Sequence, residues 1–427
     1  LNHPTILATG DLHLSSTSAL AGMRPWTTHQ GRPEPVVLND ARRTLDWLTA
    51  SVREHDVDLL VLAGDIYESP APGPAAEAVC QAWLAEVAVD APVAILLGNH
   101  DRPNGAGAHA LEPLKSLRPG RVAVIDTFQP WALTLDGRLV PFDAAAVLIE
   151  RAADTAAATG SAVPNLPRAV IFPVPYPSRS AIAAQTDSGA ETNAALTVAL
   201  DSIIQAHAIV ARELAKLWAG HNVSMVLLGH GTLRGAAFNE YQTVPLSDAP
   251  ISTEHFETFD SSIWGHLHQR QGAVGTCDSG KRRTFAHGYV GSPNRHSFGE
   301  QDDEKGASLL VGGVCAPVWN LDARRWVTIP ADAFGPALAP MDGDVYRVKG
   351  EVSSERYEEV AALVRSLKAG GAIIANACTV PREDRGRVED LRVDLGVNGI
   401  LDGVFEARPE LGEQAEVIRR RVAELGA

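Results

Sequence analysis

Val93-Ala94-Ile95-Leu96-Leu97 runs without a break into Gly98-Asn99-His100-Asp101. Five apolar residues closed by a glycine have the length of a strand. Their near-continuous apolar character fits a sheet covered on both faces. The same order recurs around it: Thr5–Thr9 leads into Gly10-Asp11-Leu12-His13, Leu59–Ala63 into Gly64-Asp65, Met225–Leu228 into Gly229-His230, and Ser262–Trp264 into Gly265-His266-Leu267-His268. Between these runs, Asp40–Glu54, Pro74–Val87, Phe142–Thr159 and Glu191–Ala219 have helix-forming composition. Alternation of this kind predicts an α/β layer architecture. Val170-Ile171-Phe172, bracketed by prolines, reads as one more strand.

Each strand-ending glycine is followed by a side chain able to bind metal. In an open α/β sheet the carboxyl ends of the strands share one rim, where ligands bind. Glycine there permits a sharp exit and a close approach of backbone to the site. Asp11 and His13 are two apart, as are His266 and His268, so in extended chain each pair points to one side. Asp11, His13, Asp65, Asn99, His230, His266 and His268 can thus meet in one small volume. A lone Asp-x-His or Gly-Asp after a strand is usually a turn or a capped helix start. Five such blocks in this order are not explained that way.

Carboxylate, amide and imidazole together suit manganese, iron or zinc rather than calcium, which prefers oxygen throughout. The set is read as holding two divalent cations, with Asp65 able to bridge them. Two cations, two carboxylates and a hydroxide leave about one positive charge, enough to hold a phosphodiester on an acidic protein. His100, not needed as a ligand, is placed to protonate a leaving oxygen. The candidate catalytic residues are His100 and, beside it in sequence, Asp101. The other histidines considered, His3, His29, His55, His109, His207, His221 and His255, lack the strand-glycine context and read as surface or satisfied core residues.

Composition narrows the partners. With 45% apolar and 21% charged residues among 427, the chain has a globular make-up; 37 basic against 52 acidic residues give a charge of −15. A broad basic coat gripping nucleic acid is excluded, though a local patch is not. Ser279–Gly299 holds Lys281, Arg282, Arg283 and Arg295 and no acid, so it reads either as a phosphate-contacting edge or as a solvated hairpin. Cys80, Cys277, Cys315 and Cys378 form no Cys-x-x-Cys pair and read as buried, reduced thiols. No basic n-region or long apolar h-region opens the chain, and uninterrupted apolar runs fall short of the ~18 residues a bilayer span needs. A cytoplasmic chain with no membrane partner is expected.

Prolines 330, 336 and 340 with Gly343 mark the expected boundary between a domain over residues 1–335 and a smaller one over 341–427. In the latter, Val345–Val352 reads as a strand. Ser353 or Ser354 would cap a helix with the stripe Tyr357, Val360, Val364 and Leu367, and Ala372–Val380 and Leu391–Leu395 read as further strands, making a small α+β module. Leu411, Ala415, Ile418, Val422 and Leu425 form a narrow helical seam, either packed on its own domain or offered to a partner. The span from Leu14 to Leu45 is long, and reads equally as a substrate-facing or an ordinary surface loop.

The ordered blocks resemble the calcineurin-like metallophosphoesterase superfamily. Within it, Tyr289-Val290-Gly291-Ser292-Pro293-Asn294-Arg295, then Ser297-Phe298-Gly299-Glu300, Lys305-Gly306 and Trp326-Val327-Thr328-Ile329-Pro330 resemble the SbcD-type DNA repair nucleases. That resemblance implies a two-sheet sandwich flanked by helices with a C-terminal capping domain. It further implies double-strand exonuclease and single-strand endonuclease activity with manganese, and a homodimer working with an SbcC-type SMC-like ATPase; the Leu411–Leu425 helix, or a nearby segment, is then expected to dock on that ATPase's coiled coil. By family pattern one ion takes Asp11, His13, Asp65 and His268, the other Asp65, Asn99, His230 and His266, and His100 is the catalytic histidine. The substrate contacts expected on DNA are Arg282, Arg283 and Arg295. Glu68, added by this pattern as a candidate catalytic residue, departs from it in type: the family usually has Asp there to orient the catalytic histidine. A phosphoesterase for small-molecule or protein phosphates is the second reading; Asp101 after Asn-His and the Gly291–Glu300 run lean away from its protein-phosphatase branch. A non-catalytic scaffold is the third, opposed by the complete ligand set.

Overall fold

The strand-length runs divide between two sheets rather than lining one. The computed structural model describes residues 2–16, 26–29, 31–103, 108–144, 147, 166–176, 193–238, 249–273, 286–336 and 344–380. Ile6–Thr9, Leu59–Leu62, Val93–Leu96 and Val122–Ile125 run parallel in a six-stranded sheet, extended antiparallel by Gly306–Val311 and Val314–Trp319. Ala169–Val174, Ser224–His230, Ser261–Gly265 and His287–Tyr289 are the parallel centre of a seven-stranded sheet. Its antiparallel flanks are Gln271–Gly272 on one side and Trp131–Leu133 with Leu139–Pro141 on the other.

Side chains alternate across each strand, and both faces are apolar because both are covered. Ile6, Ala8, Val61 and Leu96 meet Ile171, Val226, Leu228 and Ile263 between the sheets. Leu7, Leu60 and Leu62 face outward onto Leu45, Leu48 and Trp83 of helices Val36–Glu54 and Pro74–Asp90. Helix Asn193–Leu217 lays Leu196, Leu200, Ile204 and Leu214 over Val170, Phe172 and Leu227 of the second sheet. By length and composition this helix could cross a bilayer; here its apolar stripe is buried on protein. The first helix starts at Val36, four residues before the expected Asp40, whose carboxylate is spent on Arg324 instead.

Trp326–Pro330, Val345–Glu351 and Ile373–Thr379 form a third sheet, all parallel. Helix Ser354–Ala369 makes the crossover between the last two, capped by the Ser353 side chain, which accepts from Arg356 N. Val360 and Val364 seal it against Ile329, Val348 and Ile374. The small sheet therefore recruits a strand that precedes the proline-rich stretch. Leu391–Leu395, the Leu411–Leu425 seam and most of Phe142–Thr159 lie outside the described residues.

Candidate metal centre

The parallel strands of both sheets deliver their carboxyl ends to one place. The first sheet brings Asp11, His13, Asp65, Asn99 and His100; the second brings His230, His266 and His268. The turn residues are forced into unusual backbone. Asp11 (φ 54°), His13 (φ 46°), Asp65 (φ 51°) and His266 (φ 96°) are four of the six non-glycine residues with positive φ among those described. Such conformations cost roughly 1–3 kcal/mol each and persist where surrounding structure over-determines them, characteristically at functional sites. The glycines serve close approach: a Cβ on Gly98 would stand 2.2 Å from Asp65 N, and one on Gly265 2.0 Å from the Ala63 carbonyl oxygen.

Donor atoms converge in overlapping groups, Asp11/His13/His268, His13/Asp65/His100 and Asp65/His230/His266, each lying within 4.8 Å of one another. His13 Nε2 and His268 Nε2 are 3.0 Å apart. Asn99 Oδ1 is 3.0 Å from both His230 Nε2 and His266 Nδ1. Asp65 links the halves, with Oδ2 3.4 Å from His230 Nε2 and 3.9 Å from His13 Nε2, while Oδ1 accepts from His100 N at 2.8 Å. Asp11 accepts from His266 N at 2.9 Å.

The far ring nitrogens explain which atoms are left to bind. His230 Nδ1 donates to the Ala63 carbonyl at 2.6 Å, His268 Nδ1 to Glu300 Oε1 at 3.0 Å, and His13 Nδ1 stands 2.9 Å from Glu68 Oε2. Acceptors at Nδ1 fix the tautomer and leave Nε2 with its lone pair. The facing Nε2 atoms of His13 and His268 would then repel unless a cation or a proton lies between them. The donor set fits a pair of divalent cations.

The charges gathered at the centre say the same. Burial alone would lower the His13 pKa, but Glu68, Asp65 and Asp11 raise it to about 9. His230 is likewise raised to about 9, against burial, chiefly by Asp65. Burial would raise the Asp65 carboxyl, yet His230 and His13 hold it far below the usual carboxylate range. Between the ordinary 6.5 and about 9 the native state binds more protons at His13 and His230 than the unfolded chain does. The stability they contribute is full below pH 6.5 and lost as pH rises through about 9. Chelated protein should therefore melt at falling temperature over that window, and saturating Mn2+ should reverse the trend, because metal and proton compete for the same nitrogens. Melting curves indifferent to pH and to metal would contradict this.

The candidate catalytic residues divide by what they touch. His100 Nδ1 donates to the Glu68 carbonyl oxygen at 2.8 Å, leaving Nε2 to carry or release a proton, and its ring lies 4.7 Å from that of His13. Glu68 thus orients His100 with its backbone. Its carboxylate turns to His13, the extra methylene of glutamate carrying it past the place expected for it. Asp101 touches backbone and not the donor group: fully buried, it accepts from Ile66 N, Tyr67 N and Gly98 N and ties two site turns together. Burial and the nearby Asp65 charge raise its pKa to about 6.

Arg295 faces inward, donating to the carbonyls of Glu300, Arg324 and Asp303, so its guanidinium clamps a loop instead of an exposed phosphate edge. Arg282 and Arg283 lie outside the described residues. His207 is a satisfied core histidine, bonded to the Pro173 carbonyl. His109, Glu112 and Asp126 also cluster, but Lys115 Nζ at 2.7 Å from Asp126 already supplies the cation. Three residues with no role in the strand-glycine pattern also reach the centre. His296 Nε2 donates to the Asp11 carbonyl at 3.0 Å, Glu300 holds His268, and the Tyr176 ring lies 6.0 Å from that of His266. The run of polar residues from Ser292 to Lys305 is the sequence signal available for the first two.

Residues 4–145 match the calcineurin-like phosphoesterase family. The SbcD component of nuclease SbcCD from Escherichia coli (strain K12) is 23% identical over 327 residues, covering 73% of this chain and 68% of that protein. The same protein from Escherichia coli O157:H7 gives the same figures. Among solved structures, Pseudomonas putida nuclease MPE has 23% identity and a TM-score of 0.19, covering 30% of this chain and half of that one. Calcineurin-like phosphoesterase YfkN from Bacillus subtilis has 12% identity and a TM-score of 0.31, covering 65% and 76%.

Proposed function

We propose that this chain, which carries a calcineurin-like phosphoesterase domain over residues 4–145, is a metal-dependent nuclease hydrolysing the phosphodiester bonds of DNA. The observation that carries the proposal is the pair of facing donor sets joined by Asp65: His13 and His268 on one side, Asn99, His230 and His266 on the other. Asp11, His13, Asp65 and His268 would hold one ion, and Asp65, Asn99, His230 and His266 the second. When bound, such a pair supplies a nucleophile at neutral pH and neutralises charge developing on phosphate.

The protein's own groups do the rest. Asp65 keeps both halves in register while its Oδ1 fixes the His100 backbone. The Glu68 carbonyl holds His100 Nδ1, so Nε2 is the atom that delivers a proton to the departing oxygen. Asp101 keeps the Asp65 and Asn99 turns together. Similarity to the SbcD component of nuclease SbcCD supports DNA as substrate. With it come, as parts of the same proposal, double-strand exonuclease and single-strand endonuclease action, manganese, a homodimer, an SbcC-type ATPase partner, a cytoplasmic setting, and a division into a catalytic part over 1–335 and a capping part over 341–427.

The test offers the purified protein, with Mn2+, a linear duplex DNA, a cyclic nucleotide and a phosphopeptide. The proposal expects DNA cleavage, lowered about 10²–10⁴-fold in His100→Ala with metal content retained. Turnover confined to the cyclic nucleotide or the phosphopeptide would move the assignment to a phosphoesterase acting on small-molecule or protein phosphates.

A further inference from the structure

We infer that Glu300 and Lys305 are a positioning pair that sets the affinity of one cation site, the one built on His13 and His268, and not of the other. The inference rests on the dinuclear reading above. Glu300 and Lys305 are 3% and 2% exposed, with Glu300 Oε2 2.6 Å from Lys305 Nζ. An ion pair so deeply buried gains little over well-packed apolar residues of similar volume, because desolvation offsets the attraction. Stability alone therefore does not account for it.

Its placement does. Glu300 Oε1 accepts from His268 Nδ1 at 3.0 Å, and Lys305 Nζ donates to the carbonyl oxygen of the same residue at 3.2 Å. One ion pair thus holds His268 at both its ring and its backbone. Ser297 Oγ and His296 N donate to the two Glu300 oxygens at 3.3 Å, and Ser292 Oγ accepts from Lys305 Nζ at 3.0 Å, so the pair cannot swing away without losing several bonds. The His296 ring packs 4.9 Å from that of His13 and 5.0 Å from that of His268, with Nε2 bonded to the Asp11 carbonyl. The buried Glu300–Lys305 pair and the His296 ring therefore form a brace beneath three donors of one site. The opposite site has a neutral support, the Ala63 carbonyl behind His230. An anionic partner at the far nitrogen makes an imidazole a stronger donor, so the two sites are unequal by construction.

The test is Mn2+ titration calorimetry on the full chain, with melting curves of the chelated protein as the fold control. His268→Ala identifies which binding step belongs to the braced site. Glu300→Gln/Lys305→Met removes both charges at similar volume and should fold. Glu300→Asp keeps the charge but falls one methylene short of His268. Both are expected to weaken the braced site about 10–100-fold and leave the other step unchanged. Two steps unaltered in both variants, or both steps weakened equally, overturns the inference. Wild-type protein that lacks two binding steps would overturn the dinuclear reading itself, whatever the variants do.

Discussion

Asp65→Asn is expected to leave a folded chain whose phosphodiester turnover falls further than the ~10²–10⁴-fold predicted for His100→Ala. Asparagine tolerates the left-handed backbone that Asp65 adopts (φ 51°), and its amide oxygen can still accept from His100 N. What disappears is the charge between the two histidine groups. Asp65 has its carboxylate within 4 Å of ring nitrogens on both sides, His13 and His230, and it supports the raised pKa of each. Without it two cations would repel across a neutral amide. The variant should bind fewer ions than wild type in metal analysis, and its loss should not be recovered by raising Mn2+ modestly. Full metal content with near-normal turnover would show that Asp65 does not join the two ions.

The second large effect distinguishes glycines that look alike in sequence. Gly10, Gly98 and Gly265 each end an apolar run ahead of a candidate ligand. A Cβ on Gly265 would lie 2.0 Å from the Ala63 carbonyl oxygen, and one on Gly98 2.2 Å from Asp65 N, with backbone as the obstacle in both cases. Neither clash can be relieved by rotating a side chain. Gly265→Ala and Gly98→Ala should each cost at least about 3 kcal/mol, the upper end for overpacking, and should lose metal in proportion. Gly10 is different: its Cβ would meet nothing nearer than 3.4 Å. Gly10→Ala should change stability by less than about 1 kcal/mol. Equal tolerance at all three, read from denaturant unfolding, would mean the turns are looser than this geometry requires.

The seven candidate ligand positions are legible because strand, glycine and donor follow one another directly, so local sequence states both the element and the point where it ends. Val93–Leu96 and Leu59–Leu62 end within a residue of their expected limits for that reason. Residue pattern alone does not say that His230, His266 and His268 come from a different sheet than Asp11, His13 and Asp65; buried strands in either sheet look equally apolar. A two-sheet sandwich comes from the resemblance, and the structure bears it out; which donors belong to which sheet comes from the structure alone.

The supporting residues are harder to read. Glu300 and Lys305 look like ordinary members of a polar loop, and only the folding of that loop under His268 buries them. His296 lacks a preceding strand, so only the polar run around it marks it, although it reaches the Asp11 carbonyl. Asp101 sits in the most informative block of the chain, where position alone groups it with the catalytic residues. Two of its three backbone amide donors come from the Asp65 turn, a remote part of the sequence. Sequence names the donors; the fold decides what holds them.

Anomalous scattering from crystals of the protein grown with Mn2+ tests the dinuclear centre itself. Two peaks about 3.5–4 Å apart are expected, with Asp65 between them, His13 and His268 at one, and Asn99, His230 and His266 at the other. A single peak, or peaks away from these side chains, would contradict it.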